Sequence, residues 1–247
     1  HLPYFFLVFI RVSSFFIAFP MFSMTTIPNR IIVIFSFSVS LFIWLLHPLN
    51  LSFELFSLQG LLITINQILI GISAGFVFII IFNIFIYLGE IIAVQTGLGF
   101  ASLVDPHISQ LNILGQFFWL SSATTFLLLN GHLVVISILF KSFEIIPIST
   151  TFIGAIKIKK LIDFAGILFS GSVLISLPVI ISLLAANFIF GVMTRSVPQL
   201  NLFSLSFPII FILGMFIVYF SFQTIMDNTR DYFLSGFEMV KVLIGQK

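Results

Sequence analysis

The sequence predicts an all-α membrane protein, and three observations support this prediction. Of the 247 residues, 60% are hydrophobic and only 7% are charged, whereas a soluble domain carries roughly 25% charged residues. Apolar runs recur that are long enough for a bilayer crossing, which takes about 20 residues. Glycine and proline interrupt these runs, and non-helical backbone occurs at membrane depth only where protein or a water-filled cavity surrounds it. We therefore expect apolar helical hairpins with an irregular loop among them.

Six apolar segments follow one another along the chain. Pro28 and Asn29 break the chain between the first two segments. The third is longer than one bilayer crossing, so we expect it to tilt, kink or leave the membrane plane. Pro178 predicts a kink or break in the fifth. The segments are 3–22, 31–47, 58–88, 111–140, 161–193 and 203–224.

The C-terminal stretch 227–247 is predicted to be an amphipathic helix, because its charged residues recur at spacings of three, four and seven. We favour docking on a partner over lying on a membrane surface. The connector 141–160 has four lysines against one glutamate, which places it on the cytoplasmic side. The charged stripe comprises Asp227, Arg230, Asp231, Glu238 and Lys241, and the opposite face Tyr232, Val240, Leu243 and Ile244.

The segment 97–112 is the strongest functional candidate. No charged residue occurs in the 35 residues 55–89 before it, or from Pro106 within it to residue 140 after it. Gly97 and Gly99 loosen its backbone, and the Asp105-Pro106 pair disfavours helix. An ordinary loop between two spans is the alternative. Its apolar side chains favour a constriction that closes a pore by excluding water, and these are Phe100, Leu103, Val104, Ile108 and Leu111.

Two charged side chains lie inside apolar runs, where charges are costly and usually paired or functional. Glu90 has no second acid nearby for a proton relay, and capping by backbone donors or by Gln95 is as plausible as a functional role. For Arg11 we favour a structural ion pair or snorkelling to the surface over a gating role.

Other polar positions are interpreted as packing or assembly motifs. In Asn130-Gly131-His132 we favour a neutral histidine hydrogen-bonded between helices over a proton sensor. Gly71 and Gly75 form a small-xxx-small pair that lets helices approach closely. Arg195 and Gln199 flank Pro198 at a break, where side-chain donors can satisfy the freed carbonyls.

The sequence contains no pattern typical of an enzyme or of a nucleic-acid-binding protein. There is no cysteine, and the four histidines lack metal-ligand spacing. Neither a P-loop, a third glycine at dinucleotide spacing nor a G-x-S-x-G motif occurs. Basic residues are scattered and not interleaved with aromatic ones. We therefore expect no catalytic site, no metal, no cofactor and no nucleic-acid partner.

Four motifs in order resemble a known family. They are NQILIGISAGF (66–76), GEIIAVQTGLGFASLVDP (89–106), NGHLVVISILFKSF (130–143) with Pro147 after it, and RSVPQLNLF (195–203). The chain is similar, over nearly its whole length, to the R-type export-gate family of bacterial flagella (the FliR family). Injectisome counterparts in virulence type III secretion share much of this pattern.

The resemblance implies a subunit of the type III export gate in the bacterial inner membrane, at the centre of the flagellar basal body. One R-type subunit would join several P-type and Q-type subunits, and other flagellar export membrane proteins, in a pore for unfolded flagellar substrates. It further implies a P-like portion at about 1–150 and a Q-like hairpin at about 160–226. The family's plug loop corresponds to 97–112, with Gly97, Leu98, Gly99, Phe100, Leu103, Asp105, Pro106 and Asn112.

Three alternatives remain open from the sequence. The equivalent injectisome subunit would do the same physical work on another cargo. A small-molecule transporter would need paired broken helices in two related halves and a charged site at the midplane, and one broken segment with one isolated acid argues against it. An intramembrane enzyme would need a catalytic pair, which the sequence lacks.

Overall fold

The computed structural model describes residues 2–23, 28–46, 57–98, 112–148, 155–196 and 202–245. The protein is an all-α membrane protein, and the described residues contain no strand. Its helices are α1 (Leu2–Ala18), α2 (Pro20–Ser23), α3 (Asn29–Leu46), α4 (Leu58–Thr96), α5 (Ile113–Leu128), α6 (Gly131–Ile145), α7 (Ala155–Ala165), α8 (Ile167–Ser196) and α9 (Leu202–Ile244).

The predicted single helix over 111–140 is wrong. The chain breaks at Asn130, which has a left-handed backbone with φ 54°, and asparagine is one of the few residues that tolerate this region. The amide of Leu129 still bonds to the carbonyl of Thr125, whereas Leu133 and Val134 bond back to the carbonyl of Asn130. The Asn-Gly pair, interpreted above as a polar motif inside a helix, is thus a helix boundary between α5 and α6.

The C-terminal amphipathic stretch is the last part of α9, which runs without interruption from Leu202 to Ile244. Its two predicted faces are confirmed, since the five charged residues of the stripe are exposed while Val240, Leu243 and Ile244 are buried. Pro178 lies inside α8 and does not end it. A separate C-terminal helix is not present because no breaker follows the sixth apolar segment.

The helices form two compact units, each built from separated parts of the chain. The first comprises His1–Ile81, Asn130–Gly166 and Phe233–Lys247. The second comprises Phe82–Leu129 and Ile167–Tyr232. The division into P-like and Q-like portions comes from the family resemblance and stays a prediction.

In the first unit, α1 packs closely against α4 at glycines. A Cβ at Gly75 would lie 2.6 Å from the Cβ of Ala18, and a Cβ at Gly71 would clash with the carbonyl oxygen of Arg11. The close approach predicted for this small-residue pair is therefore confirmed. Phenylalanine rings fill the space beside it, with Phe15 and Phe78 centred 6.2 Å apart.

In the second unit, α4 and α5 share an aromatic core. Phe82 lies 5.9 Å from Trp119 and 6.0 Å from Phe126, measured between ring centres. Across α8 and α9, a Cβ at Gly171 would lie 3.0 Å from Cζ of Tyr232, so the glycine leaves room for the ring.

Four stretches are long and apolar enough to cross a membrane, namely Asn29–Leu46, Leu58–Thr96, Ile158–Met193 and Pro208–Ile244, and α5 with α6 makes a fifth if the pair is one span. The 39 residues of α4 extend about 58 Å at 1.5 Å per residue, nearly twice the roughly 30 Å of the hydrocarbon core. Its apolar window is 61% buried, against 22–28% for the others. Since protein covers α4, its excess length need not be exposed to lipid.

Candidate functional site

The candidate site is the connection from α4 to α5, and the structure describes its two ends. Helix α4 ends at Thr96, and Gly97 adopts a left-handed backbone with φ 83°. Its amide bonds to the carbonyl of Val94 at 3.2 Å. Glycine carries no penalty in this conformation, which commonly ends helices. Gly97 therefore directs the chain out of α4, and Leu98 follows it.

Five of the predicted plug residues lie outside the described residues, and their role stays a prediction. These are Gly99, Phe100, Leu103, Asp105 and Pro106.

At the other end of the connection, Asn112 caps α5 and Glu90 holds Asn112. The side-chain oxygen of Asn112 accepts a hydrogen bond from the amide of Leu114 at 3.2 Å. The amide of Asn112 donates to Oε1 of Glu90 at 2.9 Å. A carboxylate at a helix N-terminus is also favoured by the helix dipole. Of the two roles considered for Glu90, the structure favours capping by a backbone donor.

Two glycines bring α4 and α5 together beside this bond. A Cβ at Gly89 would lie 2.5 Å from the Cα and amide nitrogen of Gly115. A Cβ at Gly115 would in turn lie 3.2 Å from Oε1 of Glu90. We call Gly89, Glu90, Asn112 and Gly115 the loop anchor. Because it joins the helix before the connection to the helix after it, the end of the loop at Asn112 is held on α4.

Removing the Glu90 side chain is expected to weaken this anchor. Glu90→Ala loses the bond to Asn112 and the charge at the N-terminus of α5, a loss of about 1–2 kcal/mol. Glu90→Gln keeps an acceptor and loses only the charge, so we expect less than about 1 kcal/mol. Thermal unfolding of the purified variants in detergent measures the difference. Equal unfolding temperatures for Glu90→Ala and the parent protein would contradict the anchor.

The other predicted polar residues do not join the loop anchor. Gln95 is half-buried on the last turn of α4, and no hydrogen bond of its side chain is found in the described part of the chain. Gly131 begins α6, and His132 is exposed. The hydrogen bond between helices predicted for His132 is absent from the described residues, because the break at Asn130 turns it outward. The side chain of Arg195, with Pro198 and Gln199, lies outside the described residues.

Sequence reasoning missed how Arg11 is held in the first unit. Its side chain is fully buried. Nε donates to Oε1 of Gln67 at 2.7 Å, and one terminal nitrogen donates to the carbonyl of Ser142 at 2.9 Å and to its hydroxyl at 3.3 Å. The other donates to the carbonyl of Ile146 at 2.9 Å, and the guanidinium carbon lies 4.2 Å above the ring of Phe143.

Neither role favoured for Arg11 is found among the described residues. Snorkelling requires exposure, and no carboxylate pairs with Arg11 among the described residues. The negative partner is the C-terminal end of α6, where the last carbonyls attract cations. The signal available in the sequence was the occurrence of Gln67 in an apolar run, without any indication that it meets Arg11.

The described residues contain no group of three or more histidine, aspartate or glutamate side chains placed to hold a metal ion. The loop anchor is built from backbone donors, one carboxylate and one amide. Such groups position a loop and do not form an acid–base or nucleophilic pair.

Comparison with known proteins assigns the chain to a family. The model of "Bacterial export proteins, family 1" matches residues 2–236. The chain belongs to this family. It is 36% identical over 218 residues to the flagellar biosynthetic protein FliR of Buchnera aphidicola subsp. Acyrthosiphon pisum, covering 87% of this chain and 84% of that protein.

Two further bacterial proteins are similar, one over nearly the whole chain and one over about two thirds of it. The flagellar biosynthetic protein FliR of Pectobacterium carotovorum is 30% identical, and the match covers 98% of this chain and 93% of that protein. The surface presentation of antigens protein SpaR of Shigella flexneri is 31% identical, covering 68% and 66%. The resemblance drawn from the four motifs is thereby confirmed, and this family 1 export protein has relatives named for two biological settings.

Proposed function

We propose that this chain is a core subunit of the flagellar type III protein export gate. With P-type and Q-type subunits it would form the channel through which unfolded flagellar proteins cross the inner membrane, at the centre of the basal body. The observation that carries this proposal is the similarity to flagellar biosynthetic proteins over most of the chain. The role is non-enzymatic and needs no cofactor of its own.

The exposed apolar surface supports a chain that works inside a membrane or an assembly. Helix α3 alone exposes Ile34, Phe42 and Leu45 by 59–65%. In water such faces would promote aggregation. Lipid or the apolar helices of partner subunits would cover them.

Co-purification tests the proposed assembly. We expect the chain, co-expressed with its genomic neighbours and extracted in mild detergent, to leave the column with two other small, hydrophobic subunit types that mass spectrometry identifies. A stable monodisperse monomer would favour a self-contained transporter and contradict the gate.

The second candidate is the equivalent subunit of a virulence injectisome, which the similarity to SpaR favours. That similarity covers 68% of this chain, against 98% for the Pectobacterium protein, so the flagellar role is preferred. Deletion of the gene is expected to abolish swimming. A deletion strain that swims but fails to secrete virulence proteins would establish the injectisome role.

The plug role can be tested independently of whether the gate assembles. Deleting residues 101–106 is expected to raise ion conductance of the assembled gate in planar bilayers, because the deletion removes apolar side chains that exclude water. A variant of unchanged length, with Phe100, Leu103 and Ile108 replaced by serine, should leak as well. Deletion of residues 149–154 in the connector is the length-matched control. Unchanged conductance in both assembled loop variants would remove the plug role while leaving the assembly intact.

A further inference from the structure

A groove in the first unit holds two lysines and one serine on a mostly apolar wall. Its volume is about 350 Å³, within the range of roughly 300–1,000 Å³ usual for small-ligand sites. Lys141 comes from α6 and Lys241 from α9. The remaining lining residues are Leu133, Val134, Ser137 and Ile138.

Within the part of the chain that the structure describes, the two ammonium groups have no acidic partner. Both lysines are exposed, and neither makes an ion pair within the described residues. Glu144 and Glu238 lie three residues from them on the same helices, are exposed, and do not line the groove. The groove therefore presents two positive charges and one hydroxyl to whatever occupies it.

The position of the groove on its helices indicates how deep in the membrane an occupant lies. Lys141 is four residues before the end of α6, and Lys241 is three residues before the end of α9. Both helices belong to candidate membrane spans. Ser142, in the last turn of α6, lines a small cavity together with Val240 and Ile244 of α9, so the C-terminal turns of the two helices are neighbours. The end of the apolar helix α6 thus meets the amphipathic end of α9 at two lysines, an arrangement typical of a membrane interface.

We propose that this groove binds the phosphate headgroup of an anionic phospholipid. The ammonium groups of Lys141 and Lys241 hold the phosphate, and the hydroxyl of Ser137 donates a hydrogen bond to it. An acyl chain lies along Leu133, which is 57% exposed, and Val134. Basic pockets between membrane helices bind such headgroups by this combination of charge and apolar wall. The proposal does not depend on the export-gate function.

Native mass spectrometry of the full chain in detergent, titrated with dioleoylphosphatidylglycerol, measures this binding. Each lysine near an anionic headgroup strengthens binding about fivefold, so Lys141→Gln with Lys241→Gln is expected to weaken it roughly 30-fold. The matched control is Lys159→Gln with Lys160→Gln, because it removes the same charge from exposed lysines of α7 in the same unit. The control should stay within about twofold of the parent.

Several outcomes would overturn the proposal. Equal weakening by both lysine pairs would mean general attraction to a basic surface, and no weakening by either would remove the site. Equally tight binding of dioleoylphosphatidylcholine would leave only an apolar wall. Displacement of the lipid by inorganic phosphate alone at comparable concentration would identify a free-anion site. Lys141→Arg with Lys241→Arg keeps both charges and should keep binding, even where the glutamine pair fails to fold.

Discussion

Arg11→Ala is expected to lower the free energy of unfolding by about 3–5 kcal/mol, the largest effect of any single substitution considered for this chain. The side chain is fully buried and donates to three residues on two helices. Alanine leaves the amide oxygen of Gln67 and the carbonyl of Ile146 without this donor, and each buried group left unsatisfied costs about 1–3 kcal/mol. It also leaves a cavity beside Phe143, whose ring now lies under the guanidinium.

The thermal unfolding midpoint in detergent measures the effect, and roughly 10 °C is expected for a chain of this size. Arg11→Lys keeps the charge but not the planar fork, so it should recover only part of the loss. Arg30→Ala is the matched control, because Arg30 is exposed on α3 in the same unit, and it should change stability by less than about 0.5 kcal/mol. If Arg11→Ala unfolded at the same temperature as Arg30→Ala, the buried hydrogen bonds of Arg11 would contribute nothing to stability.

Gly89→Ala is expected to separate α4 from α5 and to cost about 2–3 kcal/mol, the upper part of the range for overpacking. The new Cβ would lie 2.5 Å from the Cα and amide nitrogen of Gly115 and 2.6 Å from the carbonyl carbon of Leu114. These are backbone atoms, so no side chain can rotate away, and the whole start of α5 must shift. The shift also lengthens the bond from Asn112 to Glu90, so the loop anchor loosens.

Two glycine controls make this prediction an ordered series. Gly115→Ala places its Cβ 3.2 Å from Oε1 of Glu90, a flexible neighbour, so the loss should be smaller than at Gly89. Gly191→Ala in α8 meets nothing within 4 Å, and alanine in a helix interior gains about 0.5–1 kcal/mol over glycine. Unfolding temperatures should therefore rise from Gly89→Ala through Gly115→Ala to Gly191→Ala. Any other order would contradict the close approach of α4 and α5.

Element boundaries were predictable where a local signal marks them. The break near Gly97 follows from glycine chemistry, and its left-handed φ of 83° confirms the reason. Asn130 was misinterpreted, because a polar triplet in an apolar run is also compatible with a buried hydrogen bond. The left-handed backbone of Asn130, a conformation that few residues other than glycine adopt, rules out a continuous helix through this triplet.

The loop anchor could be predicted only in part. Glu90 and the segment 97–112 were selected from the sequence because a charge and an irregular segment are costly in a membrane. That Oε1 of Glu90 accepts from the amide of Asn112, 22 residues later, required the return path of the chain. The same holds for Gly89 and Gly115, since a glycine in an apolar run does not indicate which backbone it allows to approach.

By itself the sequence determined the all-α membrane class, the family and the break after α4, because composition, apolar run length and motifs are properties of neighbouring residues. Only the tertiary structure decided the partners of Arg11, which lie between 56 and 135 residues away in the chain. It also decided that each compact unit is assembled from separated parts of the chain. The physical reason is that, in a protein with so many apolar side chains, almost any helix can bury any other. Hydrophobicity requires a side chain to be covered, whereas directional hydrogen bonds and close backbone contacts determine which helix covers it.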